Sequence, residues 1–222
     1  MSKKIMLLAL AVVSAALFAL PAMASAAENH IEGATGKAFT GTGEGGNLSA
    51  EGEPVITCTK TTASGSFTSE TTGNVNLVFE GCDTNFIGAI LSCRSSTEAA
   101  GIIKVSQQFH LITIGTSGKP GILLTPPFPT LICGSGFSER KLQITGNGVI
   151  GTVTSPACGG SSASMSVSFK ATNGNQEHKL FTGVNYDLTV DTEPNASGPT
   201  AGITGDAKMT FTDGTSRKLV CT

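Results

Sequence analysis

The sequence predicts an all-β protein, an antiparallel β-sandwich of Ig-like or jelly-roll-like kind held by disulfides. Short runs alternate apolar and polar residues, as in Asn74–Cys82: Val75, Leu77 and Phe79 share one strand face, and Asn74, Asn76, Val78 and Glu80 share the other. Segments rich in Gly, Ser, Thr and Asn separate these runs at near-regular spacing, the pattern of a sandwich or barrel. Six cysteines (Cys58, Cys82, Cys93, Cys133, Cys158 and Cys221) form an even set with no C-x-x-C pair, as in a disulfide framework. Nowhere past the first residues is an apolar period of 3.6 sustained, so helix is at most a minor component.

Those first residues read as a signal peptide, residues 1–26. Lys3 and Lys4 precede an apolar run from Ile5 to Leu20 and small residues at Ala22–Ala27, which place cleavage after Ala24 or Ala26. The run is short of the roughly 20 residues needed to cross a bilayer, and no later segment is long enough. The mature chain is expected to be secreted, extracellular or in the cell envelope (the periplasm included), with no transmembrane anchor. Losing Lys3 and Lys4 from 14 basic residues leaves 12 against 16 acidic ones, a net charge of −4. The remaining basic residues are scattered, which excludes the cationic stripe that nucleic-acid binding requires.

Residues 27–53 read as a flexible Gly/Thr-rich lead-in with one edge strand around Lys37–Thr40, and residues 54–222 as a single β-sandwich domain. Gly41–Gly46 spells G-x-G-x-x-G, but without a buried strand before it and a helix after it the motif reads as a flexible turn. Strands are expected over Val55–Thr61, then over Ser66–Glu70 and Asn74–Glu80 as a hairpin turning at Thr71–Gly73. Phe86–Ser92 and Ile102–Val105 follow, and Phe109–Ile114, apolar on both faces, reads as a central strand.

Pro120–Cys133 is the most apolar stretch after the leader, and its four prolines exclude an unbroken central strand. It reads as two strands around a proline-stiffened loop covering the core. The sharper reading makes Ile122, Leu123, Leu124, Phe128 and Leu131 an exposed apolar contact surface. Farther on, a hairpin is expected from Leu142 through Gly146-Asn147-Gly148 to Val153. Ala163–Lys170 alternates without a slip and turns at Asn173-Gly174, a type I′ signal, into His178–Phe181. Tyr186–Asp191, Ile203–Phe211 and Lys218–Cys221 complete the strands, the last two joined at Asp213-Gly214.

Catalytic constellations are sparse. Gly134-Ser135-Gly136 lacks the frame of a nucleophile elbow. The three histidines, His30, His110 and His178, share no motif. Asp191–Ser197 places oxygen ligands at alternate positions, yet Ala196 and Gly202 stand where a calcium loop needs Gly and Glu. Asn47-Leu48-Ser49 and Asn195-Ala196-Ser197 are formal glycosylation sequons. With no Trp and a single Tyr, stacking platforms for sugars are missing. No catalytic residue, metal ligand or cofactor is assigned. Among the disulfide connectivities open to six cysteines, the pairing taken from spacing is Cys82–Cys93, Cys133–Cys158 and Cys58–Cys221.

Pro54-Val55-Ile56-Thr57-Cys58-Thr59, Ser64-Gly65-Ser66-Phe67 and Gly81-Cys82 resemble uncharacterised exported bacterial all-β proteins, among them the PraB-type activator of alkane oxidation family. The likeness covers about the first half of the mature chain and rests on composition and two cysteine contexts. It implies an exported accessory or surface protein, not an enzyme. The function expected is therefore non-catalytic: a surface or matrix protein acting through adhesion, assembly or apolar contacts with other surface proteins, itself or an apolar ligand. Two alternatives are an exported hydrolase with an unidentified carboxylate pair and a small apolar-ligand carrier, the latter marked by an enclosed cavity inside a barrel.

Overall fold

The computed structural model describes residues 28–115, 118–191 and 198–222. The expected signal peptide and most of the oxygen-rich loop 191–197 lie outside the described residues.

After β1 (His30–Ile31) the chain runs up and down in strands broken at mid-length. β2 (Ala38–Gly43) leads into β3 (Gly46–Ala50), β4 (Ile56–Cys58) into β5 (Lys60–Phe67), and β6 (Thr72–Glu80) into β7 (Asp83–Phe86). β8 (Ala89–Ser95) leads into β9 (Ile102–Ile114), β10 (Lys119–Thr125) into β11 (Thr130–Cys133), and β12 (Arg140–Gly146) into β13 (Val149–Ser155). Next come β14 (Ser161–Ser162) and β15 (Ser164–Phe169). Two small hairpins follow: β16 (Ala171–Thr172) with β17 (Asn175–Gln176), and β18 (Leu180–Phe181) with β19 (Val184–Asn185). β20 (Leu188–Asp191), β21 (Thr200–Phe211) and β22 (Arg217–Val220) end the chain.

The pairing closes on itself twice. One ring of antiparallel strands runs β15-β13-β10-β9-β6-β5-β2-β21 and shuts through β21 and β15, from Ser164 opposite Thr210 to Phe169 opposite Gly205. A second ring runs β20-β12-β11-β8-β7-β4-β3-β21 and shuts because β21 pairs with both β20 and β3. Corresponding halves of each broken strand hold the same place in the two orders, and β21 passes through both rings unbroken. The architecture is thus an eight-stranded up-and-down barrel interrupted at mid-height.

The all-β class and the disulfides stand, while the sandwich gives way to a closed barrel. Inward/outward alternation along each strand is the same for both, so periodicity does not separate them. Closure also corrects the lead-in: β2 is wedged between β5 and β21, and β3 between β21 and β4. Gly41–Gly46 runs from the end of β2 through the crossing between the rings, at Glu44 and Gly45, to the start of β3. A Cβ on Gly45 would sit 2.0 Å from the Cys58 carbonyl oxygen, and one on Gly46 would sit 2.7 Å from that of Thr204. The glycines are there for close backbone approach. Likewise Gly146–Gly148 is no hairpin turn. β12 pairs with β11 and β20, whereas β13 pairs with β10 and β15. The turn at Asn173-Gly174 is present, with both residues at positive φ, but its return strand is Asn175–Gln176.

Interior side chains of the first ring come from alternate positions. Phe39, Phe67 and Phe109 meet edge to face with ring centroids 4.9 to 5.8 Å apart, and Phe211 joins Phe67. The small sheet β1-β22-β14 places Ile31 against this cluster. Odd-numbered residues of β9 face the interior. Ile112 and Ile114 instead pack outside with Leu123 and Ile150, under Phe181 and Tyr186, so the strand is apolar on both faces as expected.

All three expected disulfide pairings are corrected: the bonds are Cys58–Cys82, Cys93–Cys133 and Cys158–Cys221. Registers Thr57↔Asp83, Asp83↔Ser92 and Cys93↔Cys133 set Cys58, Cys82, Cys93 and Cys133 in one row across β4, β7, β8 and β11. Cys82 and Cys93 are indeed neighbours, sharing a 2.8 Å backbone hydrogen bond, but each bonds the cysteine on its other side. Spacing along the chain carries no information about which flank of a strand a thiol faces.

Candidate functional site: an apolar cavity at mid-height

Where the two rings meet, the interior is not filled. A cavity of about 140 Å³ remains, lined from one ring by Leu77, Phe79, Val105 and Phe169 and from the other by Leu48 and Leu131, with an almost wholly apolar surface. The register explains its walls. Ala63, Leu77 and Val105 form one lateral row, and Thr61, Phe79 and Ile103 form the next. At the same level β10 gives way to β11 through Pro126–Pro129, whose Phe128 and Pro129 close that side. Prolines cannot donate to a ladder, so three of the four residues of the crossing present no N–H to leave unpaired.

Polar atoms are rare around the space. Thr61 and Gln107 are buried at 6% exposure each, Thr204 is half-buried, and Asn47 and Asp206 are exposed. Thr204 exchanges hydrogen bonds with the backbone of Ala171. The Thr61 hydroxyl is sealed in without a partner, an arrangement that costs about 1–3 kcal/mol. Gln107 sits opposite Val75 in the β6–β9 pair and lines the cavity. Asp206 is the one carboxylate among the lining residues, and no Lys, Arg or His joins it.

Of the residues singled out in the apolar stretch, Ile122, Leu124, Phe128 and Leu131 line this cavity, and Leu123 lies in the outer cluster beside Ile112. Ile122, Leu123, Leu124 and Leu131 are buried and Phe128 is half-buried, so the stretch forms barrel wall and core, not an exposed lip. The six cysteines are all paired. Sequence reasoning missed Leu77, Val105 and Gln107 as neighbours of a cavity. Alternation had placed Val75, Leu77 and Phe79 on one face, but only the register β5-β6-β9 brings them opposite Ala63 and Val105.

The histidines are dispersed. His110 Nε2 lies 2.9 Å from Glu28 Oε2, His178 Nε2 lies 3.7 Å from Glu177 Oε1, and His30 is on β1. No group of three or more His, Cys, Asp or Glu residues that could hold a metal occurs among the described residues. No helix among them is long and apolar enough to cross a membrane.

No family model, curated protein or solved structure matches the chain.

Proposed function

We propose that the protein is a carrier of a small apolar ligand, held inside the barrel at mid-height. One observation carries the reading: the interior of a closed barrel keeps an apolar cavity of about 140 Å³ where a structural barrel would be filled by side chains. An apolar cavity of about 150 Å³ in another protein stays dry and takes up benzene, so the volume suits a single six-membered ring or a short hydrocarbon. Half-buried Leu77, Val105, Phe128 and Phe169 would bury the ligand by removing apolar surface from water.

Isothermal titration of the oxidised protein with benzene tests this, with a Val105→Phe variant whose larger ring occupies the space. Saturable binding by the parent protein and none by the variant supports the reading. Absence of binding by the parent sinks it.

A second reading, an exported surface protein acting through apolar contacts, draws on the β7–β8 hairpin and the β11–β12 loop. Ile87 is 89% and Ile90 75% exposed, and Phe137 is fully exposed. Loss of self-association or surface adhesion in an Ile87→Ser/Ile90→Ser/Phe137→Ser variant that still binds benzene would show that both activities coexist.

A further inference from the structure

We infer that the ligand is a neutral molecule bearing one hydrogen-bonding group, and that the side-chain amide of Gln107 is its anchor. The inference rests on the carrier reading and adds the ligand's chemistry to it.

Gln107 is 94% buried, and its side-chain amide makes no hydrogen bond among the described residues. Gln176, the other buried glutamine, is closed off by protein on both amide atoms. The Gln107 amide is not sealed in that way, and the residue borders the cavity. A carboxamide offers two N–H donors and one acceptor oxygen, and leaving them unpaired inside an apolar barrel is unfavourable unless something arrives to pair them. At this position a leucine or methionine would fit the inward row of β9, which otherwise reads Ile103, Val105, Phe109 and Leu111. Thr113, near the strand's end, is the other polar residue of that row, but it does not line the cavity.

The position also fixes how a ligand would lie. On one side Gln107 faces Val75; on the other, β10 has already turned away after Thr125, which pairs with Gln108. The amide is therefore at the level of the proline crossing, with Val105 and Leu77 one step further along the barrel. A hydroxyl or carbonyl oxygen would pair with the amide while the hydrocarbon body covers Leu77, Val105 and Phe128. Charge is excluded by the lining: it contains no cation to neutralise a carboxylate, and its one carboxylate, on Asp206, is exposed. An ion moved into such a space would lose its hydration without a counter-charge. Phenols and small aromatic or aliphatic alcohols and ketones fit, whereas benzoate and fatty-acid anions do not.

The test compares benzene, phenol and benzoate by titration against the oxidised parent protein and a Gln107→Met variant of matched thermal stability. The ratio of phenol to benzene affinity should fall about three- to tenfold in the variant, the worth of one neutral hydrogen bond. Benzoate should not bind either protein. A readout independent of the variant is the Gln107 side-chain amide resonance of the parent protein, expected to shift with phenol and far less with benzene. An unchanged ratio with an unmoved amide, or benzoate binding as tightly as phenol, would overturn the inference while benzene binding leaves the carrier reading intact. Binding of neither benzene nor phenol would overturn both.

Discussion

The ring of Phe109 lies directly over Gly73 on the neighbouring strand: a Cβ at Gly73 would fall 2.4 Å from the Phe109 Cζ atom. Phe39 covers Gly65 in the same way, at 2.5 Å. The two glycines let the aromatic cluster lie flat against the inner wall of the first ring, where Phe109 also borders the cavity. Gly73→Ala should therefore displace the ring and destabilise the fold by about 1–3 kcal/mol, the usual range for overpacking. Urea unfolding with an unchanged m-value and a lowered midpoint is the expected result.

The Cys158–Cys221 bond closes the longest loop of the three, with a sequence separation of 63. It ties the segment after β13 to the end of β22, which with β1 covers the aromatic end of the barrel. Replacing both cysteines by alanine should cost up to about 4 kcal/mol on loop-entropy grounds. For a chain of this size each kcal/mol is worth roughly 2–4 °C in Tm, so a calorimetric drop of about 5–15 °C is expected.

Asp213 receives two hydrogen bonds from the Arg217 guanidinium, at 3.0 and 2.6 Å, and a third from the Thr215 N–H at 3.0 Å. The Arg217 side-chain hydrogen bonds foremost, then the Thr215 N–H, hold its carboxyl far below the usual carboxylate range. A depressed folded-state pKa stabilises the fold above the unfolded value of about 3.9 and loses that contribution as pH falls below it. Asp213→Asn should flatten the stability profile between about pH 4 and pH 2 and leave its slope above pH 5 unchanged. Chemical denaturation across that range is the check.

Filling the cavity should stabilise the protein instead of straining it. Ala63 lines the space in the same lateral row as Leu77 and Val105. Ala63→Val adds two methyl groups that can point into it, and a gain of about 1 kcal/mol is expected from the apolar area buried. A lowered Tm would mean that the row is already packed.

Much of this fold is written locally. Strand alternation in Asn74–Glu80 and Ser164–Phe169, the Asn173-Gly174 turn and the proline break after Thr125 are all legible from side-chain chemistry. What is not legible is where each strand finds its second neighbour. Gly146-Asn147-Gly148 looks like a hairpin because its residues favour turns, yet Asn147 uses its side chain to hold the Asn185 carbonyl and the Asp187 N–H while the chain passes between rings. Gly41–Gly46 appears loose for want of side chains, although that want lets it pass against β21 and Cys58. The cavity follows from pairing registers summed over many strands, which no single stretch of sequence displays.

Carriage of an apolar ligand depends on an accessible apolar space at mid-height in the barrel interior. Methyl NMR under xenon pressure probes that space, because xenon enters dry apolar cavities of this size. Saturable shifts are expected in the methyls that line the space, among them those of Leu48, Leu77, Val105 and Leu131, and are lost in the Val105→Phe variant. Absence of shifts from those methyls, or shifts spread evenly over exposed Ile87 and Ile90, would mean that no such space exists.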